Sequence, residues 1–213
     1  ELPEDLLLAP QVIRAIWEAT GGNCTIATDV GQHQMWETQY FQHTRRNQLL
    51  TSGGLGTMGF ATPAAIGARF ARPDEEIWAV AGDGGFQMSI PELATIMQEG
   101  LNIKIAIINN NFLGMVRQWQ ELMHDKRYSA TQMWTPNFQK LADAYGMLGL
   151  RATTLEETRE VIAKARAHNG PVLCEFVVEN ETNVFPMVMP GKALNEMVRR
   201  QPAALGTGFE TVK

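Results

Sequence analysis

An α/β fold, a parallel sheet with helices on both faces, is predicted by three observations. Segments of strand and helix character alternate along the chain, separated by Gly, Pro and capping residues. Residues 77–81 are a continuous apolar run and 103–108 are apolar apart from Lys104, the pattern of strands buried on both faces. Several strands run directly into loops rich in Gly, Asp or Asn, as expected where ligands bind beyond the carboxyl ends of a parallel sheet.

In chain order, residues 9–20 form the first helix: Pro10 suits its first turn, Val12, Ile13, Ile16 and Trp17 share one face, and Gly21-Gly22 stops it. A strand follows at 24–29, then a short helix at 35–42. The second strand, 48–52, enters a glycine-rich turn. Thr62-Pro63 has the form of an N-cap and first-turn proline, opening a helix that reaches Ala71. The apolar strand 77–81 ends in Gly82-Asp83-Gly84-Gly85. Ser89-Ile90-Pro91-Glu92 then reads as a capping box for a helix that Gly100 closes. The second apolar strand, 103–108, ends in Asn109-Asn110-Asn111. Helices are expected near 115–123 and 137–145, and a strand at 148–152. Thr154 and Glu157 form another capping box for a helix to Ala167, and 172–178 is the last strand.

The chain has 213 residues. At about 150 residues per domain this predicts one large domain, residues 1–180, and a tail, residues 181–213. A hydrophobic fraction of 45% supplies a full core, while a charged fraction of 19%, against about 25% in ordinary soluble domains, predicts surface covered by ligand or partner. Eighteen basic against 23 acidic residues leave a net charge of -5, so bulk electrostatics favour neither nucleic acid nor an anionic membrane. No apolar run nears the roughly 18 residues of a membrane span, and the acidic first residues are unlike a signal peptide. A soluble chain is expected, and its start at Glu1 rather than Met is read as that of a processed piece or fragment. Cys24 and Cys174 have neither disulfide-framework nor zinc spacing and read as buried structural thiols.

The strand-end rule singles out Asp29, the turn at 53–59, Asp83 and Asn110. Gly54-Leu55-Gly56-Thr57-Met58-Gly59 is a literal GxGxxG, which suits either a dinucleotide or a tight strand-to-helix turn. A dinucleotide would use Asp83 for a ribose but gives the Asn run no role, and there is no GxxxxGK for a P-loop. Asp83 and Asn110 together suggest more. If their strands are neighbours, about 4.8 Å apart, a carboxylate and an amide oxygen converge on one edge. That is hard-oxygen ligation suited to magnesium, which completes its octahedron with water and phosphate oxygens. Gly84 and Gly85 would let a phosphate approach backbone N–H groups, so the expected ligand is a magnesium-bound diphosphate.

The stretch GDGGFQMSIPEL, with 24 residues between its GDG and Asn109-Asn110, resembles the thiamin diphosphate motif. Together with TDVGQHQMW at 28–36, LTSGGLGTMGF at 50–60 and NNNFLGMVRQWQ at 109–120, it resembles the acetolactate synthase (acetohydroxyacid synthase) family. The likeness runs from about Leu6 to Met197 and covers the diphosphate-binding last third of that family's catalytic subunit, without its pyrimidine- and FAD-binding domains.

The resemblance implies roles residue by residue. Asp83 and Asn110 would bind Mg2+ through their side chains and Phe112 through its carbonyl, and Gly84, Gly85, Gln32 and His33 would hold the diphosphate. The family often carries Ser or Ala where Gly85 stands. Gly56 would accept a hydrogen bond from the cofactor's amine, and Met58 would wedge between its rings to bend it. Val30, Gly31, Gly114, Met115 and Val116 would complete the pocket, and Trp119 matches the aromatic residue that favours 2-ketobutyrate as second substrate. On residue type alone there are plainer readings. His33 would be a loop hydrogen-bonder, Met58 and Met115 gap-filling core, Trp119 core with Val116 and Met123, and Arg45-Arg46 and Arg199-Arg200 solvated faces.

The implied activity is condensation of pyruvate with a second 2-ketoacid after decarboxylation, in branched-chain amino-acid biosynthesis, in the cytoplasm or, in a eukaryote, an organelle. FAD is implied for the full enzyme, bound mainly outside this chain. Implied partners are the pyrimidine-binding domain of the same enzyme, in a homo-oligomer, and a regulatory subunit. The glutamate that activates the cofactor's amine sits on the pyrimidine domain of a neighbouring subunit, so this chain alone is expected to hold half a site. Alternatives are another thiamin-dependent decarboxylase or carboligase, a non-catalytic cofactor-binding module, or a nicotinamide-binding domain. The tail from Asn180, with Phe185-Pro186 and Pro190-Gly191 interrupting apolar residues, is expected to be mobile until cofactor binds; the resemblance implies that it closes over the site as a lid, and the plainer reading is that it packs permanently on the domain's own helices.

Overall fold

The computed structural model describes residues 6–199. Residues 1–5 and 200–213, including Arg200 and the end of the expected tail, lie outside the described residues. The chain divides into two compact units, Glu1–Glu181 and Thr182–Lys213.

In the first unit, six strands form one parallel sheet in the order β2-β1-β3-β4-β6-β5. They are β1 (Thr25–Thr28), β2 (Leu49–Thr51), β3 (Ile77–Gly82), β4 (Lys104–Asn109), β5 (Leu148–Ala152) and β6 (Val172–Val177). The helices are α1 (Ala9–Thr20), α2 (Gln32–Tyr40), α3 (Ala61–Ala71), α4 (Asp83–Gln87), α5 (Glu92–Gln98), α6 (Gly114–Met123), α7 (Phe138–Ala144) and α8 (Leu155–Ala167). The two apolar runs become β3 and β4, adjacent central strands buried at every position, while edge strand β2 is half-buried throughout. Alternate side chains of these strands point to opposite faces. Ala79, Ala81, Ile105 and Ile107 meet Ala61, Ala65, Leu93, Ile96 and Phe138 in one core cluster, with Phe86 and Phe138 edge to face at 5.7 Å. α1, α2 and α8 pack together on the other face, where Val12, Ile13 and Ile16 are buried. In the second unit, Met187 and Val198 pair in an antiparallel bridge, and Leu194–Glu196 forms a single 3-10 turn.

Several local expectations are corrected. α2 begins at Gln32, three residues before the expected start, so Gln32 and His33 stand in its first turn rather than in a loop. Thr62 is buried inside α3 and does not cap it, because the helix already begins at Ala61, whose N–H donates to the carboxylate of Asp29 at 3.2 Å. Ser89 turns its hydroxyl to the Phe86 carbonyl at 3.3 Å and leaves α5 uncapped by a side chain. Thr154 does cap α8, accepting from the Glu157 N–H at 3.2 Å, but Glu157 reaches back to Thr153 N–H instead of Thr154. Both cysteines are buried and free, and burial pushes each thiol up to about 12, which makes them inert. Among the described residues no helix is long and apolar enough to cross a membrane.

One buried pair makes stability depend on pH. The Glu37 carboxylate in α2 is fully buried 2.7 Å from His43 Nε2. Burial raises the Glu37 pKa, and His43 beside it opposes part of that rise. A carboxyl whose folded pKa exceeds its unfolded value contributes stability at acid pH that is lost as pH rises through the folded value. Glu37→Gln has nothing to titrate there. The unaltered protein is therefore expected to gain stability relative to Glu37→Gln as pH falls from neutral toward the ordinary carboxyl range. Urea titrations at a series of pH values check this, and a constant difference would contradict it.

Candidate functional site

β2 lies on one side of β1 and β3 on the other, so the chain reverses its direction across the sheet between β1 and β3. Ligands of open α/β sheets bind at such a reversal. There a cleft opens, walled by the turn into α2, the segment before α3, the start of α4 and the loop into α6.

Its lining brings together Val30, Gly31, Gln32, His33, Met58, Asp83, Gly84, Gly85, Asn110, Phe112, Gly114, Met115 and Val116. Two expected residues are not in that wall. Gly56 lies at the rim, where a Cβ on it would come 3.8 Å from Val30 Cγ1. Trp119 lines a neighbouring open groove with Val116, Gln120, His124 and Arg127, and it is 38% exposed rather than part of the core. Val116 belongs to both hollows. Met58 and Met115 are half-buried cleft residues, not core fillers.

β3 and β4 are neighbours with Gly82 opposite Ile108, so Asp83 and Asn110 leave adjacent strands one register step apart. Asp83 is buried, and its Oδ2 has no hydrogen-bond partner among the described residues. Burial pushes its carboxyl up to about 7, opposed by the N–H groups of Asp83, Gly84 and Asn110 and reinforced by Glu175. An unpartnered buried carboxylate oxygen is costly, and a divalent cation relieves that cost. Asn110 Oδ1 accepts from Phe112 N–H at 3.1 Å, closing the turn that brings the Phe112 backbone to the cleft. Among the described residues no three His, Cys, Asp or Glu cluster as a metal cage. The donors therefore fit magnesium, which takes few protein ligands and completes its shell with phosphate and water.

Asn109, by contrast, is a brace. Its Nδ2 donates to Glu175 Oε1 at 2.7 Å, its Oδ1 accepts from Asn111 N–H at 3.1 Å, and Arg151 Nε pairs with Glu175 Oε2 at 3.2 Å. Spacing alone did not separate the two asparagines. Facing directions do.

His33 is buried against two glycines. A Cβ on Gly82 would meet its Nδ1 at 2.8 Å, and one on Gly31 would meet its Cε1 at 2.9 Å. Burial lowers its pKa to about 4, against the opposing charge and backbone hydrogen bond of Asp29. The ring is therefore neutral, and its Nε2 has no partner among the described residues. The glycines of α4 also have a packing role that the sequence reading did not supply. A Cβ on Gly84 would run into Leu113 Cδ2 and Met133 Sδ, each at 2.8 Å, and one on Gly85 into Asp29 Oδ1 at 2.5 Å.

Sequence reasoning missed Gln118 and Trp36. Gln118 is fully buried and accepts from Gln32 Nε2 at 2.9 Å, while Gln32 Oε1 accepts from Asn110 Nδ2 at 3.4 Å. The signal was available, since Gln118 falls four residues after Gly114 and so shares its helix face. Trp36 lines the cleft one turn after Gln32 and His33.

A parallel sheet with a hard-oxygen pair and glycine-bounded walls at its reversal suits a diphosphate-binding domain. The chain belongs to the thiamine pyrophosphate enzyme family, matching its C-terminal TPP binding domain over residues 29–176. It is 48% identical over 200 residues to an acetolactate synthase of Mycobacterium leprae (strain TN), covering 91% of this chain and 32% of that protein. It is 40% identical over 199 residues to the acetolactate synthase isozyme 2 large subunit of Escherichia coli (strain K12), covering 93% and 36%. With the acetolactate synthase large subunit of Lactococcus lactis subsp. lactis (strain IL1403) it shares 43% over 201 residues, covering 92% and 34%. The chain spans about a third of the length of these relatives.

Proposed function

We propose that this chain is the thiamin diphosphate- and magnesium-binding part of an acetolactate synthase, joining pyruvate to a second 2-ketoacid after decarboxylation, in branched-chain amino-acid biosynthesis. The observation that carries the reading is the unpartnered Asp83 Oδ2 beside Asn110 at the β1/β3 reversal, in a chain of this family. When bound, thiamin diphosphate supplies the electron sink for decarboxylation of a 2-ketoacid. The protein's own groups do the rest. Asp83, Asn110 and the Phe112 carbonyl hold the metal. Gln32, neutral His33 and the backbone of Gly84 and Gly85 receive the diphosphate, with Val30, Gly31 and Gly114 allowing close approach. Gly56 accepts from the amine, Met58 sets the bend, and Met115 and Val116 exclude water above the reacting carbon.

In this proposal FAD and the pyrimidine-binding domain, with its activating glutamate, lie outside this chain. The assembled enzyme is a homo-oligomer, open to a regulatory subunit, in the cytoplasm or a eukaryotic organelle. Calorimetry with thiamin diphosphate plus Mg2+, set against NAD, tests the reading. Binding of the first and not the second is expected, and the reverse result would overturn it.

Trp119 is proposed to contact the extra methyl of 2-ketobutyrate, from a groove that shares Val116 with the cofactor cleft. Trp119→Leu in the assembled enzyme is then expected to shift preference toward pyruvate as second substrate, by about 1 to 3 kcal/mol for one methylene. A competition assay with both ketoacids reads this as a changed product ratio, and an unchanged ratio counts against the assignment.

A further inference from the structure

Asp29, at the carboxyl end of β1, has a fully buried carboxylate. Three backbone N–H groups satisfy it: Oδ1 accepts from Val30 at 2.8 Å and Gly59 at 2.9 Å, and Oδ2 from Ala61 at 3.2 Å. Oδ1 also presses on α4, lying 2.5 Å from where a Cβ on Gly85 would sit. The irregular segment between β2 and α3 is tied at its other end to Ser52. There Gly56 N–H donates to the Ser52 carbonyl at 3.1 Å and Thr57 N–H to the Ser52 hydroxyl at 3.0 Å. Met58 lies between these two anchors.

We propose that Asp29 is a positioning residue whose carboxylate fixes Met58 relative to α4, and so sets how far the thioether projects into the cleft. The role rests on the reading of this cleft as a thiamin diphosphate site. Only a carboxylate meets all three donors with acceptor oxygens. An asparagine would turn an NH2 toward one N–H and lose that anchor. Gly85 borders the same carboxylate, since a Cβ there would lie 2.5 Å from Oδ1. The hydrogen bonds of the Asp29 carboxylate run to Val30, Gly59 and Ala61 and not to Asp83, Asn110 or Phe112, so the proposed metal ligands are separable from the placement of Met58.

The test uses the intact protein carrying this chain, labelled with methyl-13C methionine. In the cofactor-free state, Asp29→Asn is expected to move or broaden the Met58 methyl signal while leaving that of Met115 in place. Affinity for thiamin diphosphate with Mg2+ should change only a few-fold, whereas turnover of pyruvate at saturating cofactor should fall about 100-fold, the scale of an ångström misplacement. Asp29→Glu, which moves the carboxylate by one methylene without removing its charge, should reproduce the Met58 change and covers the case in which Asp29→Asn does not fold. An unmoved Met58 signal in the folded variants overturns the proposal, as does a parallel loss of affinity and turnover. Failure of the unaltered protein to bind thiamin diphosphate overturns the underlying cofactor reading instead, and the wild-type titration separates the two.

Discussion

Asp83→Ala is expected to abolish magnesium-dependent binding of thiamin diphosphate while leaving the fold intact. Its Oδ2 is buried without a partner, and its carboxyl is pushed up to about 7, so the empty fold gains nothing from the charge. β3 and its core neighbours remain packed without it. Losing even an outer-shell partner of a metal ligand costs about 10- to 100-fold in affinity, so losing the carboxylate itself should cost more than about 100-fold. Calorimetry with cofactor and Mg2+ reads the loss, and thermal unfolding without ligand should show a midpoint no lower than that of the unaltered protein. Unchanged affinity would remove Asp83 from the metal site.

Gly114→Ala is expected to have the second largest effect, from a residue that contributes no side chain. A Cβ at this first position of α6 would overlap Gln32 Oε1 and come 2.8 Å from Asn110 Nδ2. Gln32 cannot simply swing away, because its Nε2 is engaged with buried Gln118. The added methyl must therefore displace either the metal amide or the α6 terminus. Magnesium affinity measured through cofactor binding should fall about 10- to 100-fold, as for disturbed metal supports in general. Gly114→Ala combined with Gln32→Ala should recover part of the Asn110 geometry. Wild-type affinity in the single variant would show that the loop yields freely.

The sheet was legible because β3 and β4 announce themselves: strands that are apolar through their centres and buried on both faces have few other uses. The bounds of α1 and β5 were read as observed, the first between Pro10 and Gly21. Local rules failed where a distant group took over. Thr62 follows the capping pattern, but α3 starts one residue earlier, where Asp29, 32 residues before Ala61, accepts from the Ala61 N–H. Ser89 found a nearer acceptor in Phe86. The glycines of α4 were read as openings for phosphate, although their missing side chains also make room for Asp29, Leu113 and Met133. No one-dimensional pattern records that closeness. Likewise Trp119 keeps helical spacing with Met123 and Val116, yet spacing cannot say which face of α6 meets the core.

The strand order has a kinetic consequence. β6, the last of the described strands to be made, inserts between β4 and β5, pairing Ile105 with Leu173 on one side and Leu150 with Cys174 on the other. Until that segment arrives, two strand edges stand open: β4, wholly apolar at its centre, and β5, which touches the sheet only through β6. Unpaired edges of this kind recruit other chains, and pairing between segments distant in sequence is slow. Synthesis that stalls before Val177 should therefore leave a nascent chain prone to self-association, and β6 should be the element whose docking commits the molecule to its native topology.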